Sequence, residues 1–109
     1  MDISDFLLSL LNSLSDLKFV EKVDFNTEVF ILKGRVWVGG KRYVQVYFNE
    51  LTGTTAFALI ERGQRIWGID FDNMRGWHPF GETDTHTSIS DKSVEEIVKA
   101  LHKVLEELK

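Results

Sequence analysis

The chain predicts an α+β fold: an antiparallel meander of four to five strands, with the N- and C-terminal helices packed on one face as a two-layer sandwich. Three observations carry this. Apolar residues recur at three- and four-residue steps near both ends of the chain, which is the period of an amphipathic helix. Between those ends the period drops to two, as strands require. The alternating runs are joined by short glycine turns, and short connections make neighbouring strands antiparallel. Each helix then has one apolar side and the sheet one apolar face, and stacking the two layers buries all of them.

Residues 3–17 read as the first helix. Ile3, Phe6, Leu7, Leu10, Leu11, Leu14 and Leu17 form its stripe, and Asp2 or Ser4 can cap its free amides. Leu8 falls off that stripe and widens the apolar side, which leaves core packing and a partner contact both open. Residues 20–25 are ambiguous and fit a short edge strand. A strand runs from Glu28 to Val38, with Val29 and Ile31 alternating against Phe30 and Leu32. Gly39-Gly40 turns it, since glycine reaches positive φ without a steric cost. Lys41 to Asn49 follows, with Val44, Val46 and Phe48 on one face and Tyr43, Gln45 and Tyr47 on the other. Turns at 51–53 and 62–64 set off strands from Thr54 to Glu61 and from Arg65 to Asp72. Residues 73–90 read as an irregular loop, long for a compact domain and so of functional interest. Residues 94–108 are the last helix, with Ser93 and Glu96 spaced as a capping box.

A chain of 109 residues has room for one domain, taken as residues 1–109. It has no cysteine, so disulfides and thiolate metal sites are excluded. Its first apolar run is too polar to span a bilayer and starts acidic rather than basic, at Asp2 and Asp5. A cytoplasmic protein without membrane contact is expected. The net charge of −4 is uneven. Residues 1–17 carry three acids and no base; residues 18–75 carry nine bases against seven acids; residues 76–109 carry four bases against seven acids. The sheet region is mildly basic between acidic ends, a weak pointer to an anionic partner.

The chemistry-bearing residues crowd at the end of the last strand. Asp70 and Asp72 stand two apart on a strand and so share a face, and paired carboxylates can hold a cation or divide acid–base work. Acids at a strand end are also common solvated residues. Asn73 continues into the turn, where an Asp-Asn pair has a structural use of its own. His78 and His86 are close in sequence, and imidazole both takes and gives a proton near neutral pH, as phosphodiester cleavage needs. Zinc wants three or four such ligands, and the spacing matches no zinc pattern; no metal and no cofactor are assigned. Arg75 suits an oxyanion or an ion pair with Asp72. Trp77 can stack a base or close the core. His102 reads as surface. On the meander, Trp37, Tyr43 and Tyr47 with Lys33, Arg35, Lys41 and Arg42 give the aromatic-and-basic mixture of an RNA-binding sheet, or simply an edge hairpin.

The segment Arg65-Ile66-Trp67-Gly68-Ile69-Asp70-Phe71-Asp72-Asn73, then Trp77-His78-Pro79-Phe80 and His86, resembles the TumE-type toxin family of prokaryotic toxin–antitoxin systems. Asp72-Asn73 falls on that family's Asp-Asn pair, His78-Pro79 in its His/Pro loop and His86 on its later histidine. The likeness extends over about residues 18–108. It departs from the pattern in having a single His78 where the family has adjacent histidines, and in the acidic Glu82-Thr83-Asp84-Thr85 before His86. If the absent histidine is required, the chain is a divergent or inactive member. The resemblance implies a growth-inhibiting protein acting on RNA or translation and neutralised by a cognate antitoxin.

Two functions of different class follow. In the first, residues 70–86 form the site of a metal-independent endoribonuclease: His78 and His86 are acid and base, Arg75 stabilises the phosphorane, and Asp72 and Asn73 hold the loop, with Asp70 and Trp77 toward substrate. In the second, the chain is a non-enzymatic binding or oligomerisation module, a homodimer included. It would use the open sheet face or the leucine-rich first helix, with Asp72, Asn73 and Trp77 stitching the loop down.

Overall fold

The computed structural model describes residues 2–72, 76–79 and 91–108, with side chains described for 2–70 and 94–108. Helix α1 (Ile3–Leu14) opens the chain. Asp2 caps it by accepting a hydrogen bond from the Asp5 amide at 2.7 Å. It ends one turn earlier than the leucine stripe suggests, and the Ser15 hydroxyl donates to the Asn12 carbonyl there at 2.7 Å. The Leu17 amide then turns back to the Leu14 carbonyl. Strands β1 (Lys22–Glu28), β2 (Ile31–Gly39), β3 (Arg42–Asn49), β4 (Thr55–Glu61), β5 (Gln64–Asp72) and β6 (Gly76–Pro79) follow, and helix α2 (Asp91–Glu107) closes the described chain. All neighbouring strands pair antiparallel in the order β1-β2-β3-β4-β5-β6. The α+β meander with its terminal helices is the architecture of the molecule, and the ambiguous edge segment is a full strand.

Three boundaries differ from the sequence reading. The strand expected to run through Val29 and Phe30 instead breaks there into a hairpin. Val29 takes φ +35° and is 86% exposed. Strong strand formers sit at the tip because the register on either side is set by the buried positions of β2, not by the turn. Second, the segment read as irregular contains β6, added to the sheet edge opposite β5. Third, α2 starts at Asp91, so Ser93 lies inside the helix and is not its cap. Two turns form near their expected places: the one read at Gly39-Gly40 sits one residue later, at Gly40-Lys41, and the one read at 62–64 is Arg62-Gly63. Both place consecutive residues at positive φ, the geometry that matches strand twist in two-residue hairpins.

Strand alternation explains the core. Leu32, Val36 and Val38 of β2, Val44, Val46 and Phe48 of β3, and Thr55, Phe57 and Leu59 of β4 are buried on one face. Phe6, Leu10 and Leu14 of α1 and Val94, Ile97, Val98, Leu101 and Leu105 of α2 cover that face in one cluster. The Phe6 ring stacks on Phe48 with centroids 4.3 Å apart and planes within 3°. A second tie fixes the start of α1 to the sheet: the Ile3 amide donates to Glu50 Oε1 at 2.9 Å. Both helices therefore occupy one side, and among the described residues nothing covers the other face of the sheet, here called the open face. No helix among the described residues is long and apolar enough to cross a membrane.

Candidate functional site

The open face takes the alternate residues of each strand. Because β2 buries Leu32, Val36 and Val38, Lys33, Arg35 and Trp37 stand on the opposite side. By the same rule β3 offers Tyr43, Gln45 and Tyr47, and β4 offers Ala56 and Ala58. A groove of ≈ 530 Å³ crosses this face, lined by Asp24, Asn26, Lys33, Arg35, Gln45, Tyr47, Ala56 and Ala58 among others. Its depth has a simple origin. Alanines on β4 are short beside Tyr47 on β3.

The polar lining is not consumed by internal bonds. Among the described residues, the side chains of Asp24, Asn26, Lys33 and Gln45 make no hydrogen bond or ion pair with one another or with any other described residue. Arg35 is held over the Tyr43 ring, its Cζ 4.9 Å from the centroid, and Tyr43 in turn packs on Trp37 at 4.9 Å and 50°. That stack positions the guanidinium beside the groove without neutralising it. Two other basic candidates drop out. Arg42 is tied to Glu61, with Nε and Nη2 each 2.9 Å from Oε1. Lys41 occupies a hairpin turn at φ +65° and does not line the groove.

The register extends this face to the sequence-predicted site. Asn26 pairs with Lys33, Lys33 with Tyr47, Tyr47 with Ala56, Ala56 with Asp70, and Asp70 with His78. Positions directly opposite in an antiparallel ladder share a face, so these six form one continuous row from β1 to β6. At a strand spacing of about 4.8 Å, Lys33 and His78 lie roughly 19 Å apart along it. Asp70 is exposed. Asp72 pairs with Gly76 in the next row of the same face. Trp77 pairs with Phe71, and Phe71 with Thr55. Thr55 is buried, so the Trp77 position belongs to a row of the helix-covered face and not to the row of Asp70 and His78. Asn73, Arg75 and His86 lie outside the described residues.

Of the expected site, the structure thus brings Asp70 and His78 into register and sets Trp77 apart from them. Asp24, Asn26 and Gln45 carry the groove and were not singled out by their types. The signal is the alternation itself: polar residues at 24, 26, 33, 35, 45 and 47 fall in the same two rows as the small ones at 56 and 58 once the strands are paired. His102 remains a surface residue, its Nε2 2.8 Å from Glu106 Oε1 on the same helix. Comparison of the chain with protein-family models, with curated proteins and with solved structures returns no match in any of the three.

Proposed function

We propose that this chain is a toxin-like component of a prokaryotic toxin–antitoxin system that cleaves single-stranded RNA laid across its open sheet face. The observation that carries the reading is the six-residue row in which Lys33 and Tyr47 lead through Ala56 to Asp70 and His78. A cation and an aromatic ring suit backbone and base of an unpaired strand, and a carboxylate beside an imidazole suits proton transfer.

In the proposed reaction one histidine, His78 or His86, removes the proton of a ribose 2′-hydroxyl. The 2′-oxygen attacks the adjacent phosphorus, and the bond to the leaving 5′-oxygen breaks. The second histidine donates a proton to that oxygen, leaving a cyclic phosphate and a free 5′-hydroxyl. Asp70, the register partner of His78, assists the transfer of the proton. Arg75 offsets charge on the phosphorane, while Asp72 and Asn73 hold the strand end.

The partner in this reading is a cognate antitoxin, and the compartment is the cytoplasm. A protein contact is favoured by α1, where Leu8 is 61% and Leu11 39% exposed on a helix whose other side is already buried. The same exposure supports the second reading, a binding module or homodimer working through α1. Expression of the wild type against a His78→Ala, His86→Ala double variant separates the two. The RNase reading expects growth arrest and cyclic-phosphate RNA ends from the wild type alone. Equal growth and equal RNA integrity from both would leave the module.

A further inference from the structure

We infer that the groove over β1–β4 is a base-reading subsite for an unpaired guanine of the bound RNA. The inference rests on the proposed RNA reading and names what that reading leaves open, the base selected. The groove sets one carboxylate, Asp24, directly across the ladder from the guanidinium-bearing Arg35. Lys33 and Asn26 pair in the next row of the same face, and Gln45 lies across from Arg35 on the far side. Acid and base are therefore presented side by side, about one strand spacing or ~5 Å apart, yet Asp24 makes no ion pair with any described residue.

Guanine is the base whose edges match this set. Its N1–H and N2–H₂ are adjacent donors, and a carboxylate accepts both. Its O6 and N7 are acceptors, and Arg35, across from Asp24, donates to them, while Lys33 serves the RNA backbone. Adenine, cytosine and uracil each offer one donor group beside their acceptors, so each leaves one carboxylate oxygen without the second, adjacent donor that guanine supplies. An unmatched polar group in a contact is costly, which converts the pattern into selectivity. Tyr47, half-buried at the groove wall, offers a ring face to the base. Ala56 and Ala58 keep the floor low enough for it to enter. The row from Tyr47 to His78 then carries the strand from the selected base toward the proposed cleavage position, and that distance asks for several nucleotides of single strand, not a mononucleotide.

The test uses short 2′-O-methyl oligonucleotides, which lack the attacking hydroxyl and cannot be cut, so binding is read apart from cleavage. Fluorescence anisotropy is measured for a uridine-rich strand carrying one central guanine, against the same strand with adenine, cytosine or uracil there, and against guanosine monophosphate. The guanine strand is expected to bind about tenfold more tightly than the others, and Asp24→Asn to remove that preference. Lys33→Ala is expected to weaken all strands alike. Equal affinity for the four bases, or a guanine preference untouched by Asp24→Asn, would overturn the inference. So would the monophosphate binding as tightly as the strand. Asp24 is exposed on the edge strand, and an unchanged melting curve for Asp24→Asn confirms that binding alone is altered. Guanine-selective binding without RNA cleavage would retain this subsite and refute only the RNase reading. Cleavage without base selectivity would do the reverse.

Discussion

Asp70 on β5 and His78 on β6 are direct register partners, at the end of a row that begins with Asn26 and Lys33 at the opposite edge of the sheet. The four-residue strand β6 makes that pairing. Without it His78 would be one more loop residue; with it, an imidazole-bearing position is fixed across from a carboxylate. If the pair acts in proton transfer, His78→Ala lowers RNA cleavage by roughly 10²–10⁴-fold. Asp70→Asn lowers it less, because the imidazole remains. Both rates come from single-turnover cleavage of a labelled oligonucleotide. A loss for Asp70→Asn as large as that for His78→Ala would give the carboxylate a direct role.

Binding should report the two groove cations. Lys33 and Arg35 stand on the open face, whereas Arg42 is occupied by Glu61. Lys33→Ala is expected to reduce the slope of log affinity against log salt by about 0.7 for a single strand, whereas Arg35→Ala weakens the guanine strand most. Lys41→Ala leaves the slope unchanged. Titrations at several salt concentrations read this directly.

Ala56 sits at the midpoint of the row, between Tyr47 and Asp70. Ala56→Glu places an anion in the path of the RNA backbone while projecting away from the core. RNA affinity is expected to fall more than tenfold, with stability changed by less than about 1 kcal/mol, as surface substitutions usually are. Chemical denaturation and anisotropy on the same variant separate the two effects.

Two backbone positions make opposite predictions for stability. Val29 holds a β-branched side chain at φ +35°, a region that costs such a residue about 1–2 kcal/mol, and its exposure means no packing is lost on removal. Val29→Gly is expected to raise stability by about 0.5–1 kcal/mol, part of the relief being returned as glycine chain entropy. Gly34→Ala is expected to cost about 1–3 kcal/mol, because the new Cβ meets the Phe25 ring and the Asp24 carbonyl oxygen, and the carbonyl is backbone that cannot swing aside. Urea midpoints give both values.

These positions also explain what could be read from residues alone. The helices and strands β2 to β5 follow from period, β1 only ambiguously, and the side of each strand follows from which of its alternate residues are oily; Phe48, Val44 and Leu32 announce themselves. Turn positions were legible where glycine supplies positive φ, as at Gly40 and Gly63. Val29 was not, since nothing in valine signals a left-handed turn, and a run of strand formers hides the break. Strand β6 was illegible for the converse reason: four residues flanked by glycine and proline have no period to detect. The groove was hidden because it is a property of register. Asp24, Gln45 and Ala58 are unremarkable one by one and become a site only when pairing aligns them. Arg42 looked available and is not, because Glu61 faces it across the β3–β4 ladder.

The central claim is that RNA follows the row from Lys33 and Tyr47 to His78 on the face away from the helices. Amide-resolved NMR during titration with an uncleavable 2′-O-methyl RNA tests this most directly. The account predicts shifts that map to β1–β5 around Asp24, Lys33, Gln45, Ala56 and Asp70, with α1 and α2 unchanged. Shifts confined to α1 around Leu8 and Leu11, with the groove residues silent, would contradict it.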